Sequence, residues 1–396
     1  MKPVSIWAGG LCLAVSVALA ACGGEDGAPG PPVSLPSPTP PPSPSPSPTP
    51  TPTPTPTPSP GATLAYQSAA DYALSSGARA VVIIHDGRMV LEQYANGGRA
   101  DRGEALASGT KSFTCVLMAA AEDDGFLSVD DLASTLVPQW RVGGLAPQAD
   151  LKAQIRTRDL LSVSSGLLNS GVFGAALNTV DSYAQAFNAP SQFAPGTHAI
   201  YTPNSAQAVS AIFELATGGA FDSAGVIRGG RDGITYLQQR VFSPIGIAPT
   251  EWSRDVNAKP NFGGGASFTA KDWAVFGQFS AQLGEWQGLQ IISRARMSRC
   301  FTYATNAFLG YGFGWWLNRS VGTTFSSEDS IPWPGDVTAR WASGGQIAPS
   351  APTDMAIAFG AGNRKLYVSP GTRLSLVVIG GTANDEELMR RLFAGS

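Results

Sequence analysis

The sequence predicts an α+β fold, an antiparallel sheet built from both ends of the domain with a mostly helical region between them. Three observations carry this. Apolar, strand-like runs open the foldable part of the chain (80–94) and close it (365–380). An alanine-rich stretch after Ser108 reads as a buried helix. The composition is globular and loop-rich, with 43% apolar and 14% charged residues and 46 glycines among 396.

In chain order, residues 1–21 read as a leader. Lys2 supplies a short positive start, and Leu11 to Ala20 is an apolar run too short to span a bilayer comfortably. The run ends in Leu19-Ala20-Ala21-Cys22-Gly23, which resembles the lipobox of bacterial lipoproteins. That resemblance implies a lipidated Cys22, a membrane partner and a place in the cell envelope. Gly23 rather than Asp after the cysteine implies sorting to the outer membrane, facing the periplasm. An ordinary signal peptide cut after an A-x-A-like site is the alternative. Several acyl chains would anchor the protein stably, at roughly 0.8 kcal/mol per buried methylene.

Residues 22–61 read as a linker. From Pro29 to Pro60 the chain is almost entirely Pro, Ser and Thr, and 17 of its 31 prolines fall there. Proline fixes φ and nothing in the run is available to bury, so polyproline II is expected. At about 3.1 Å per residue such a spacer reaches on the order of 90 Å.

Residues 62–396 form the expected domain, long enough to bury a large core as one domain or two lobes. Ala65 to Ser75 reads as a helix. Ala80 to Tyr94 reads as a hairpin turning at Asp86-Gly87. Lys365 to Pro370 and Leu374 to Gly380 read as two closing strands around Pro370-Gly371.

Several functions are excluded early. The net charge is −3 and no basic stripe stands out, so nucleic acid is not an expected partner. There are two histidines, His85 and His198, and no H-x-x-x-H or C-x-x-C pair, so no metal centre or cofactor is expected. His85 ends the apolar run Val81-Val82-Ile83-Ile84 and reads as a packed or rim residue. No G-x-S-x-G elbow occurs, so hydrolytic chemistry needs a base other than histidine unless His198 is that base. Of four cysteines, Cys12 leaves with the leader. Cys115 falls seven residues after Ser108 on the same buried helix face, and it and Cys300 are expected as unbridged, buried thiols.

The candidate nucleophile is Ser108 in Ser108-Gly109-Thr110-Lys111, followed by the apolar run Phe113 to Ala121. The S-x-x-K spacing puts both side chains on one face of the first helical turn. Burial lowers the pKa of a lysine and lets it act as a base near neutrality. The helix N-terminus adds N–H groups that favour a developing oxyanion. Taken alone, the tetrad reads more readily as a helix cap with a solvated lysine.

The neighbouring segments extend the pattern. Leu106 to Phe113, the acidic turn Asp124 to Asp131, Arg156 to Leu167 with Asp159-Leu160-Leu161 and Ser165-Gly166-Leu167, Phe193-Ala194-Pro195-Gly196, Tyr201 through Gly218, Gly264 to Asp272 and Tyr311-Gly312-Phe313-Gly314-Trp315-Trp316 occur in order. With these segments the chain resembles the serine β-lactamase-related hydrolases, over most of Ala80 to Gly381. That group holds class C β-lactamases, D-Ala-D-Ala peptidases, esterases and 6-aminohexanoate-dimer hydrolases. The resemblance implies a β-lactamase/transpeptidase-like fold, with Ser108 as nucleophile and Lys111 as its base.

The resemblance also implies a Tyr-x-Asn element, read here as Tyr201-Thr202-Pro203-Asn204. The ungapped match puts Pro203 where the asparagine belongs and Asn204 one place late. A tyrosine beside a cation can shift toward the phenolate and serve as base, and during turnover Tyr201 is expected to protonate the leaving group. The third element, Lys-Thr-Gly or His-Thr-Gly, is missing as such. Its strand reads as Ala358 to Asn363, with Ala342-Ser343-Gly344-Gly345 as a second candidate. Asn204, Gly360 and Ala361 are accordingly expected at the substrate or oxyanion site, with Arg340 or Arg364 as replacements for the missing cation.

Two function classes follow. The first is a Ser-Lys-Tyr hydrolase forming an acyl-enzyme on a small ester or amide, the missing cation favouring esterase or small-amide activity over β-lactamase or D-Ala-D-Ala peptidase activity. The second is a non-catalytic envelope protein that keeps the fold for binding.

Overall fold

The computed structural model describes residues 64–303, 305–321, 340 and 343–394. The leader, Cys22 and the linker to residue 61 lie outside the described residues, as does Ala342. Within them the expected sheet is present. Its strands are β1 (Ala78–His85), β2 (Arg88–Tyr94), β3 (Trp316–Leu317), β4 (Ala356–Gly360), β5 (Arg364–Ser369) and β6 (Leu374–Gly380). They lie in the order β3-β4-β5-β6-β1-β2, every pair antiparallel. The first strand and the last are thus neighbours, with Val82 opposite Val377.

The apolar runs fail to alternate because both faces of the sheet are covered. Val82 and Ile84 of β1 join one core, with Leu366, Val368, Val377 and Ile379. Val81 and Ile83 join the other, with Leu376 and Val378. The second core is closed by helix α1 (Tyr66–Ser75), through Ala69 and Ala73, and by the C-terminal helix Asp385–Leu392, through Leu388, Met389 and Leu392. Each fully buried aliphatic side chain contributes roughly 1.5–3 kcal/mol. The C-terminal helix is capped by Asn384, with acids in its first turn and arginines in its last, as its dipole favours. Its Asp385 accepts from Lys365 Nζ at 2.7 Å and from the Tyr367 hydroxyl at 2.5 Å, tying helix to sheet.

The opposite face carries the helical region. Helix α2 (Ser112–Asp123) is buried from Ser112 to Glu122. Around it stand α3 (Pro203–Ala216), α4 (Ala270–Ala281) and α5 (Arg294–Thr302). α3 starts at Thr202, whose side chain accepts from Asn204 N.

The thiol expectation is corrected here: Cys115 and Cys300 form a disulfide, with Cα atoms 5.8 Å apart. Cys115 faces α5 rather than the nucleophile. The same helix pair is joined by Arg296 and Arg299, which salt-bridge Glu122 and Asp123.

Candidate active site

Ser108 does not sit in an α-helical turn. It lies in a five-residue 3-10 turn, Ala107–Lys111, that runs directly into α2. Ala107 takes φ +47°, an uncommon conformation for a residue with a Cβ. It reverses the chain from the short strand Glu104–Ala105 into the helix. The turn is held by Leu106 N donating to Ala266 O at 2.8 Å and by Ala266 N donating to Thr110 Oγ1 at 3.1 Å. Gly109 is required there, because a Cβ would lie 2.9 Å from the Trp273 ring.

Lys111 is buried, and its Nζ is 3.0 Å from Ser108 Oγ and 2.6 Å from Gly263 O. Both partners are neutral, so nothing offsets the loss of water. Burial pulls the ammonium down to about 7. The Gly263 peptide is oriented by buried Gln207, whose Oε1 accepts from Phe262 N at 2.7 Å and Gly263 N at 3.2 Å.

Tyr201 completes the group. Its hydroxyl is close enough to Ser108 for the serine side chain to favour its ionised form. Lys111 Nζ lies over its ring, 4.8 Å from the centroid. The ring stacks on Trp316 at 5.2 Å and meets Tyr311 edge-on at 5.9 Å. A shift toward the phenolate is not found. Burial raises the Tyr201 hydroxyl far above its ordinary value, and the Ser108 side chain offsets only part of that. Burial thus favours the protonated form of Tyr201 and the neutral form of Lys111.

The remaining expected residues divide. Asn204 is not brought to the Ser108–Lys111 pair. Its Nδ2 donates to Leu168 O at 3.1 Å and Ser170 O at 3.0 Å, and its Oδ1 accepts from Gln185 Nε2 at 3.3 Å, so it pins the 168–170 segment. Pro203, first residue of α3, holds the place beside Gly263, where a Cβ on that glycine would come within 2.9 Å of Pro203 Cβ. Gly360 ends β4 against the nucleophile turn. A Cβ there would fall 1.9 Å from Leu106 O and 3.1 Å from Gly109 N. Ala361 follows, exposed, and its carbonyl accepts from the Arg364 guanidinium.

No cation stands on β4, whose residues are Ala356, Ile357, Ala358, Phe359 and Gly360. Ser343 and Gly345 form a turn instead, both donating to Arg340 O. The Arg340 guanidinium donates to Gln346 O at 3.2 Å and Ile347 O at 2.7 Å, while Arg364 reaches the turn just past Gly360. His198 stacks on Phe193 at 3.8 Å with its Nδ1 3.0 Å from Thr197 Oγ1, and His85 Nδ1 is hydrogen-bonded to the Tyr66 hydroxyl.

Sequence reasoning missed the Gly263 carbonyl and the roles of Gln207, Tyr311 and Trp316. The glycine run 263–265 and the aromatic segment 311–316 were their only signals.

No curated protein matches the chain. Its fold is shared with solved structures. One is a family VIII carboxylesterase, at TM-score 0.58 and 14% identity over 84% of this chain and 97% of that one. A second is the D-stereospecific amidohydrolase from Streptomyces sp., at 0.56 and 15% over 84% and 99%. A third is EstCE1, a hydrolase with promiscuous acyltransferase activity, at 0.56 and 16% over 84% and 99%. Residues 67–365 match the family described as Beta-lactamase, and the chain belongs to that family of serine hydrolases.

Proposed function

We propose that the protein hydrolyses a small ester or amide through an acyl-enzyme on Ser108, with Lys111 as base and Tyr201 as acid. The observation that carries this is the 3.0 Å approach of buried Lys111 Nζ to Ser108 Oγ, with burial pulling the amine down to about 7 and the Tyr201 ring 4.8 Å from the same nitrogen. Ser108 Oγ attacks the substrate carbonyl while neutral Lys111 takes its proton. Tyr201 gives its proton to the leaving oxygen or nitrogen as that bond breaks, and Lys111 returns a proton to Tyr201. Water then hydrolyses the ester on Ser108 by the same groups in reverse. The N–H of Ser108 and the backbone at Gly360–Ala361 are the proposed oxyanion donors, since β4 ends against the nucleophile turn.

The lack of a cation on β4, the strand read as that of the missing Lys-Thr-Gly element, supports uncharged esters or small amides over β-lactams and D-alanyl peptides. The neighbours described as a carboxylesterase and an amidohydrolase support the same class. The sequence Leu19-Ala20-Ala21-Cys22 supports a lipid anchor holding the enzyme at the envelope. Metabolic labelling with a fatty-acid analogue tests that: a secreted, untagged wild type overturns it.

Turnover of short-chain aryl esters, nitrocefin and D-alanyl dipeptides, together with fluorophosphonate labelling, tests the chemistry. The esters are expected to turn over fastest, and Ser108→Ala is expected to lose all turnover and labelling. His198→Ala is expected to retain activity. Wild-type hydrolysis by Ser108→Ala, or a loss in His198→Ala as large as that in Lys111→Ala, overturns the assignment. An unlabelled wild type returns the chain to the class of non-catalytic binding proteins.

A further inference from the structure

The segment Tyr311–Trp316 touches both proton-handling groups at once. Tyr311 and Trp316 form an isolated antiparallel bridge, with their rings edge-to-face at 4.8 Å. Both are buried, at 1% and 2% exposure. The tip of the turn abuts the backbone that carries Lys111: Gly314, at φ +79°, is so close that a Cβ would lie 2.4 Å from Lys111 O. Gly314 N also donates to Leu161 O at 3.0 Å, fixing the tip. The two aromatic rings meet the acid, Trp316 stacked on Tyr201 and Tyr311 edge-on to it. Trp316 pairs with Ile357 of β4, the strand that ends at Gly360 beside the nucleophile turn.

We infer that Trp316 and Tyr311 are positioning residues that hold the Tyr201 hydroxyl on Ser108, in register with Lys111. The inference rests on the Ser108–Lys111–Tyr201 reading. Tyr201 lies in the extended chain just before α3 and is only half-buried, so no secondary structure of its own fixes its ring. A tyrosine hydroxyl swings with χ1 and with the backbone that carries it, and a proton donor displaced by about 1 Å can lose on the order of 10²-fold in rate. Stacking on one aromatic and abutting another removes that freedom. Neither Trp316 nor Tyr311 is assigned contact with the reacting atoms.

The effect should therefore depend on how much the leaving group needs a proton. Ethyl butyrate and p-nitrophenyl butyrate share an acyl group, but ethoxide must be protonated as it leaves and p-nitrophenolate need not be. Trp316→Ala is expected to lower kcat/KM, which reports acylation alone, about 10- to 100-fold for ethyl butyrate and less than about threefold for p-nitrophenyl butyrate. Trp316→Phe is expected to restore the ethyl ester. Adding Trp316→Ala to Tyr201→Phe should cost nothing further, because the indole acts only through that hydroxyl. If Trp316→Ala does not fold, Trp316→Leu carries the same comparison.

Equal losses on the two esters, or losses that add to those of Tyr201→Phe, overturn the inference. If Tyr201→Phe loses the ethyl ester selectively and Trp316→Ala does not, only the positioning role falls. If Tyr201→Phe itself keeps wild-type turnover of ethyl butyrate, the acid assignment falls and takes the inference with it.

Discussion

Lys111 and Lys152 are buried alike and serve different ends. Both have exposures of 3% or less. Each donates to a backbone carbonyl, Lys111 to Gly263 O at 2.6 Å and Lys152 to Phe187 O at 2.9 Å. Each lies over an aromatic ring, that of Tyr201 at 4.8 Å or Trp140 at 5.9 Å. Burial lowers both, to about 7 and about 8. The difference is a hydroxyl. Lys111 Nζ reaches half-buried Ser108, whereas Lys152 makes no hydrogen bond to a hydroxyl among the described residues. Lys259 and Lys365 show a third outcome, since each is buried against a carboxylate, Glu214 or Asp385. A lowered lysine pKa thus follows from burial among neutral partners, and a functional base needs a proton donor at its end as well.

The sharpest break between the two lysines is expected in turnover. Lys111→Met should lose about 10²–10⁴-fold in kcat/KM on an aryl ester, the usual worth of a general base. Lys152→Met should stay within about twofold, since nothing reacts beside it. A comparable loss in Lys152→Met would mean that lysine burial in the helical region is felt at the site, and the comparison would collapse.

Next in size is the stability of the helix that carries Lys111. The Cys115–Cys300 disulfide closes a loop of 185 residues between α2 and α5. Replacing both cysteines with serine is expected to lower unfolding free energy by about 2–4 kcal/mol in urea titrations. The aryl-ester kcat should remain near wild type at temperatures where the variant is folded, because the bridge lies on the α5 side of α2. A selective loss of kcat in folded protein would show that the bridge positions Lys111.

The smallest effects concern pH. Protonation removes the base, so kcat/KM on p-nitrophenyl butyrate should fall about tenfold per unit below a pH of about 7, in wild type and Lys152→Met alike. Stability should move the same way. Unfolded lysine titrates near 10.5, so between about 7 and 10.5 the unfolded chain holds a proton at residue 111 that the folded chain lacks. Stability then rises with pH through that window, by about 1.4 kcal/mol per unit for each such group. Lys152 adds its share only above about 8. Urea titrations at pH 7, 8 and 9 should show Lys111→Met flattening the whole range and Lys152→Met only its upper half. A Lys111→Met protein with the wild-type slope would mean that Lys111 is charged when folded.

Part of this architecture was open to reading before any coordinates. The strands β1 and β6 announce themselves because a sheet covered on both faces needs unbroken apolar runs, and the turns Asp86-Gly87 and Pro370-Gly371 mark their partners β2 and β5. Ser108 and Lys111 are three residues apart, so any helical winding puts them together. The expectations that depended on long-range packing did less well. All of α2 from Ser112 to Glu122 is buried, so its periodicity does not say which side chain meets which neighbour, and the Cys115–Cys300 bridge went unforeseen. Asn204 followed the helix cap at Thr202 and Pro203 and turned toward Leu168 and Ser170.

The sequence by itself therefore determined most of the sheet, the Ser108–Lys111 pair, and the absence of a cation from Ala358 to Gly360, since each is a local pattern of side chains. Tertiary structure decided the burial that raises the Tyr201 hydroxyl and lowers the Lys111 amine. It also decided that Gly263 would hold Lys111 and that Tyr311 and Trp316 would meet Tyr201. A backbone carbonyl has no side-chain signature, and ring contacts across about 110 residues of chain exist only once the helical region has closed on the sheet.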